Sequence, residues 1–222
     1  MMDSDDRQIE LFPSRERGAP LVLLNTVRGE GSAVWEAVRE ETSVDFSLAA
    51  VGNLRWSDDM TPWPISPFAP GAEACAGAAD AYLERLVGQI LPEIRADLAA
   101  DPAYTALAGY SLGGLFALYA LYRTDAFARA ASASGSLWYP DFLESALSHQ
   151  MARRPDAVYL SLGDRESSTK NAMMRLVEEN TRRLAEWYRG AGINTALEMN
   201  PGGHFRDTDR RMARAIAWIL EA

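Results

Sequence analysis

A single cysteine in 222 residues, Cys75, leaves no partner for an intramolecular disulfide and no thiolate cluster for zinc. Its Ala-rich surroundings read as helix, so packing is its expected role. Histidine is almost as scarce: His149 and His204 are the only two. Basic residues are outnumbered, 22 Lys and Arg against 31 Asp and Glu, and a net charge of -9 lacks the clustered positive charge that a phosphate backbone requires. Nucleic-acid binding is therefore not expected, and the acidity serves solubility. The acidic start, Met1 to Asp6, is not followed by an apolar run, so no secretory signal is read there and cytoplasmic residence is the expectation. One uncharged stretch, Pro102 to Tyr122, is long enough to span a bilayer. Gly109, Ser111, Gly113 and Gly114 sit in its middle, which suits a strand, a turn and a helix crossing a protein core, and no membrane association is expected.

What is present has the hydrophobic content, 48%, of an ordinary globular chain, and its length suits one domain. Residues 1–18 are polar and read as a tail or an edge strand, leaving 19–222 as the domain. Leu21 to Leu24 and Phe46 to Gly52 are continuous apolar runs of the kind buried on both faces of a parallel sheet. Ser32 is placed to cap a helix over Ala33 to Val38. Asn53 to Gly71 is a long loop rich in Pro and Trp. A helix over Ala79 to Leu91 follows, with Pro92 set to kink or restart it. Further strands are expected where Leu107 and Ala108 lead into Gly109, at the small-residue start of Ala130 to Pro140 before it runs into an aromatic loop, at Ala157 to Gly163 and at Thr195 to Met199. Helices are expected at Phe142 to Gln150, at Met173 to Arg189 with Leu176, Leu184 and Trp187 on its apolar face, and at Asp209 to Leu220. Strands alternating with helices imply an α/β fold, in which ligands bind beyond the carboxyl ends of the strands.

The stretch Gly109-Tyr110-Ser111-Leu112-Gly113-Gly114 has the form G-x-S-x-G between a strand and a helix. That turn presents its serine in a strained conformation, and the two glycines stand where side chains would collide. A serine hydroxyl needs a base, and the base needs a third group to orient it. His204, in the loop Pro201 to Phe205, is the candidate base, whereas His149 reads as a helix-surface residue. Asp164 and Glu166 compete for the third place. Glu166 is favoured because it lies three residues past Gly163, where its side chain can turn back, while Asp164 suits a turn residue or a solvated loop charge. Ser111, Glu166 and His204 each follow a predicted strand and so share one sheet edge, in the chain order of the α/β-hydrolases. Leu112 is expected to supply one oxyanion amide, and Val27, beside Thr26 in the loop after the first core strand, the other.

Several segments together resemble the esterase family that includes enterochelin (siderophore) esterases and esterase D-like enzymes. They are the elbow, Arg55 with Asp59 to Pro62, Ser134 to Tyr139, the Gly163 to Glu166 turn and Gly202-Gly203-His204. The resemblance implies an α/β-hydrolase fold, mostly parallel with helices on both faces, and a serine esterase with Ser111 as nucleophile and His204 as base. Two departures stand out. Most of the family's N-terminal antiparallel strands are missing, and Asn25-Thr26 replaces a common Asp-Gly pair. The resulting expectation is a metal- and cofactor-free hydrolase of a small-molecule ester, extending to a siderophore-type lactone. Arg55 and Trp138 are the expected substrate contacts, with Arg28 as a second positive charge and Trp56, Trp63 and Tyr139 as further aromatic walls. Acyl transfer or thioester cleavage would use the same residues. A ligand-binding protein that had lost turnover would be marked by a missing serine or histidine, and both are present.

Overall fold

The computed structural model describes residues 8–27, 29–68 and 71–222. The first seven residues of the polar start, and Arg28, lie outside the described residues. Seven strands form one sheet in the order β1-β3-β2-β4-β5-β6-β7. They are β1 (Gln8–Phe12), β2 (Leu21–Asn25), β3 (Ser47–Gly52), β4 (Thr105–Tyr110), β5 (Arg129–Ala133), β6 (Ala157–Gly163) and β7 (Asn194–Asn200). All neighbouring pairs run parallel except β1, which lies antiparallel against β3 at the edge.

The helices are α1 (Gly31–Glu41), α2 (Trp56–Asp59), α3 (Ala79–Arg85), α4 (Leu91–Ala96), α5 (Leu112–Ala120), α6 (Phe142–Ser148), α7 (Val177–Gly190) and α8 (Thr208–Glu221). Alternation along the strands sorts them into two layers. Leu21 and Leu23 of β2 pack with the core that receives α3 to α7, while Val22 and Leu24 pack with α1 and α8. Both faces of the sheet are thus covered, and every residue of β2, β3 and β6 is buried. The uncharged stretch ending at Tyr122 is divided into β4, a turn and α5. Among the described residues no helix is long and apolar enough to cross a membrane.

Some local expectations give way. Ser32 lies inside α1, not at its N-cap, and its hydroxyl donates to Glu10 Oε2 at 2.9 Å. At Pro92 the helix restarts as expected: the chain widens to a π-helical turn over Leu86–Ile90, and α4 starts with the proline in its first turn, where a missing N–H costs little. Cys75 is not helical but pairs with Ile65 in an antiparallel bridge. There it is buried, and burial pushes its thiol pKa up, which fits a packing role. The inward face of α7 is Val177, Thr181, Leu184, Ala185 and Tyr188, with Leu176 and Trp187 exposed at its margins.

Candidate active site

β4 ends in a turn so tight that α5 starts at the residue after Ser111. Ser111 has φ 57° and ψ -121°, a conformation L-residues avoid and one held here by backbone hydrogen bonds on both sides. Its amide donates to the Ala133 carbonyl at 3.1 Å, and its carbonyl accepts from the amides of Leu115 (3.1 Å) and Ser136 (3.0 Å). The flanking glycines are explained by space. A Cβ on Gly109 would collide with the Gly113 backbone, and one on Gly113 would come within 2.9 Å of the Trp56 indole. Leu112 is the first residue of α5, so its N–H has no acceptor within the helix and lies at the positive end of the helix dipole.

His204 arrives from the loop after β7. Its Nε2 lies 3.0 Å from Ser111 Oγ and its Nδ1 2.7 Å from Glu166 Oε2. A carboxylate only accepts, so Nδ1 carries the ring proton and Nε2 is left to accept from the serine hydroxyl. The three side chains expected to meet are therefore joined in one chain of hydrogen bonds. With the Ser111 proton directed at His204, the buried Ser136 hydroxyl, 3.3 Å away, is the donor to Ser111 Oγ.

Glu166 is 4% exposed at its side chain. Burial alone would raise its pKa, but hydrogen bonds from His204, the Gly163 amide (2.6 Å) and the Ser134 hydroxyl (2.8 Å), together with the imidazole charge, hold it below the ordinary carboxylate value. Asp164 does a different job. Its Oδ1 accepts from the Gly202 amide at 2.7 Å, pinning the loop that carries His204 to the turn that carries Glu166.

Three contributors escaped the sequence reading. Arg211 of α8 is 1% exposed and donates from Nη1 to Glu166 Oε1 (3.2 Å) and Ser134 Oγ (3.2 Å), and from Nη2 to the Pro201 carbonyl (3.1 Å). Ser134, fully buried with φ 46°, aims its hydroxyl at the carboxylate. Tyr110 donates its hydroxyl to the His204 carbonyl at 2.7 Å. The loops that carry Glu166 and His204 are thereby tied to β4, β5 and α8. A left-handed serine leaves no mark in sequence, and an arginine on a helix rich in arginine reads as solvated.

A cavity of about 300 Å³ opens beside Ser111 and His204, walled by the end of β2, Val34 of α1, Trp56 of α2 and Met212 of α8. Val27 is on its rim, 40% exposed. The neighbouring Thr26 amide already donates to the Val51 carbonyl at 2.9 Å, so among the pair Val27 carries the amide not spent on the sheet.

The other expected substrate contacts lie elsewhere. Arg55 holds Asp59 through Nη2 at 2.6 Å and through its own amide at 3.1 Å, bracing α2, and is not among the residues walling the cavity. Trp138 is buried against Phe68 with ring centroids 4.8 Å apart. Trp63 donates to the Pro140 carbonyl at 3.0 Å, and Tyr139 donates back to the Trp63 carbonyl. These aromatics clamp the 53–68 loop onto the loop after β5. Of the four aromatic residues expected at the site, Trp56 reaches the cavity.

Comparison with solved structures finds the same fold. The siderophore hydrolase EstA of Aspergillus nidulans superposes with a TM-score of 0.79 at 20% identity, over 98% of this chain and 91% of that one. The siderophore hydrolase EstB of the same organism gives 0.74 at 18% identity, over 100% and 97%. The enterobactin esterase FES of Shigella flexneri gives 0.70 at 20% identity, over 97% of this chain and 55% of that longer one. The α/β-hydrolase architecture expected from the motifs is thus the architecture found. A family model described as "Putative esterase" matches residues 57–209, a span that holds the elbow, Glu166 and His204, and the chain belongs to that family of esterases.

Proposed function

We propose that the protein hydrolyses a carboxylic ester through an acyl-enzyme on Ser111. The observation that carries this reading is the unbroken chain Glu166 Oε2, His204 Nδ1, His204 Nε2, Ser111 Oγ at 2.7 and 3.0 Å, beneath a serine held in a strained turn. Ser111 Oγ attacks the ester carbonyl carbon while its proton passes to His204 Nε2. The new oxyanion takes hydrogen bonds from the Leu112 and Val27 amides. Collapse breaks the carbon–oxygen bond to the alcohol, which leaves with the proton from Nε2. Water then attacks the acyl-serine with the same imidazole as base, and the carboxylic acid departs as Ser111 recovers its proton. Glu166 keeps the imidazole in the tautomer that can accept and offsets its charge once it is protonated.

The test is covalent. A fluorophosphonate should label the wild-type protein and not Ser111→Ala, and p-nitrophenyl acetate should give a burst of p-nitrophenol with the wild type alone. Equal labelling of both proteins would end this reading. The names of the Aspergillus hydrolases, which match along nearly their whole length, support a siderophore-type lactone among the esters to be tried. A cyclic trilactone assayed beside simple esters addresses it.

A further inference from the structure

We infer that the cavity beside Ser111 is an acyl site for an uncharged, apolar chain of medium length, and that it discriminates against anionic acyl groups. The inference rests on the Ser111 reading above and narrows its substrate.

The walls supply the first argument. Leu24, Val34 and Met212, which belong to one hydrophobic cluster, and the Trp56 indole against the elbow present hydrocarbon to the space next to the nucleophile. Transfer of a methylene from water onto such walls is favourable, whereas a charged group there would give up its hydration for neutral polar partners, Asn25, Thr26, Tyr110 and Thr208, and for no cation among the described residues.

The mouth supplies the second. Phe205, directly after the base, is 89% exposed and stands edge-on to the His204 ring with centroids 4.9 Å apart. Val27, also among the lining residues, is 40% exposed. Two exposed apolar side chains at the lip of an apolar cavity give the chain a continuous surface from mouth to nucleophile.

Charge supplies the third. Among the described residues walling the cavity, the carboxyl-bearing ones are Glu30 and Asp209 and none is Lys or Arg. Arg55 is committed to Asp59 outside it. Asp209, exposed among the residues walling the cavity, places a carboxylate where an anionic acyl group would enter, so such a group meets repulsion as well as desolvation.

Size sets the length. A cavity of about 300 Å³ has room for about ten atoms of water size, which corresponds to an acyl chain of about six to ten carbons.

The experiment uses p-nitrophenyl esters, so the leaving group is constant: acetate, butyrate, hexanoate, octanoate, decanoate, laurate and palmitate, with the mono-p-nitrophenyl ester of suberic acid as the carboxylate-ended counterpart of octanoate. kcat/KM should climb by roughly threefold per methylene from acetate, peak between hexanoate and decanoate and fall at palmitate. The suberate ester should be on the order of tenfold or more below octanoate. Asp209→Asn, an exposed rim change, should narrow that gap several-fold, and Val34→Phe should move the optimum to shorter chains. Ser111-dependent hydrolysis with a flat length profile, or with the suberate ester preferred, would overturn the acyl-site inference and leave the serine mechanism standing. Hydrolysis that persists in Ser111→Ala would instead remove the mechanism beneath it.

Discussion

Arg211 Nη1 lies 3.2 Å from Glu166 Oε1, with the guanidinium side chain 1% and the carboxylate 4% exposed. Glu166, which accepts from His204 Nδ1, is therefore one half of a buried ion pair whose other half sits on the last helix. Removing one partner of such a pair leaves an uncompensated charge, a loss of about 3 to 5 kcal/mol. Arg211→Met is expected to be destabilised by that amount in urea unfolding. At a temperature where it remains folded, its kcat should fall while KM changes little, since Arg211 touches the acid and not the substrate cavity. Arg211→Lys restores a charge without the planar fork and should recover part of kcat.

Acid should destabilise the protein through Glu166. Its folded pKa lies below the ordinary 4.5, so the carboxylate contributes stability that is fully present above that value and is lost as pH falls through the lower folded one. Urea midpoints measured from neutral pH down to about pH 3 should decline in the wild type below pH 4.5 and decline less steeply in Glu166→Gln. At neutral pH the Gln variant should lose on the order of 10³-fold or more in kcat, because an amide cannot enforce the Nδ1–H tautomer.

Ser111→Gly and Ser111→Ala should both be inactive yet differ in stability. At φ 57° an alanine keeps the backbone strain and a glycine relieves it. Gly should be the more stable of the two by about 1 kcal/mol, read from urea midpoints. Equal stability would mean that the surrounding hydrogen bonds hold the turn at no cost.

Gly109→Ala places a methyl group against the Gly113 backbone, which belongs to α5 and cannot swing aside as a side chain would. A loss of about 1 to 3 kcal/mol is expected. Because relief requires shifting the first turn of α5 and with it the Leu112 amide, kcat should fall further than the lost stability alone implies. Thermal unfolding and steady-state kinetics on the same preparation would separate the two effects.

The elbow was readable from sequence because its requirements are local: two glycines are needed within four residues of each other, and the apolar runs on either side announce strand and helix. Ser111, Glu166 and His204 were readable for a topological reason, since parallel strands bring their carboxyl ends to one edge whatever the intervening chain does. The preference for Glu166 over Asp164 rested on reach past a strand end, and it is Glu166 that meets His204 Nδ1 while Asp164 meets the Gly202 amide. Arg211 was not readable, because Arg210, Arg211 and Arg214 are alike in sequence and only the packing of α8 against β4 and β5 decides which one is buried. Arg55 and Trp138 illustrate the reverse error. A loop with arginine and aromatics looks the same whether it holds a ligand or holds itself, and here those side chains hold Asp59 and Phe68. Cys75 was assigned to a helix on alanine content, yet the Ile65 pairing draws it into a bridge, a long-range choice that propensity does not see.

The parallel sheet has a kinetic corollary. His204 is 93 residues from Ser111 and 38 from Glu166, so the hydrogen-bonded chain closes only when β4, β6 and β7 have all taken their places. No contiguous fragment as short as one βα unit carries Ser111, Glu166 and His204 together. A compact intermediate with most of its helices formed would still be inert, and the return of hydrolysis after denaturation would mark the completion of the sheet, whereas the return of helical signal would not.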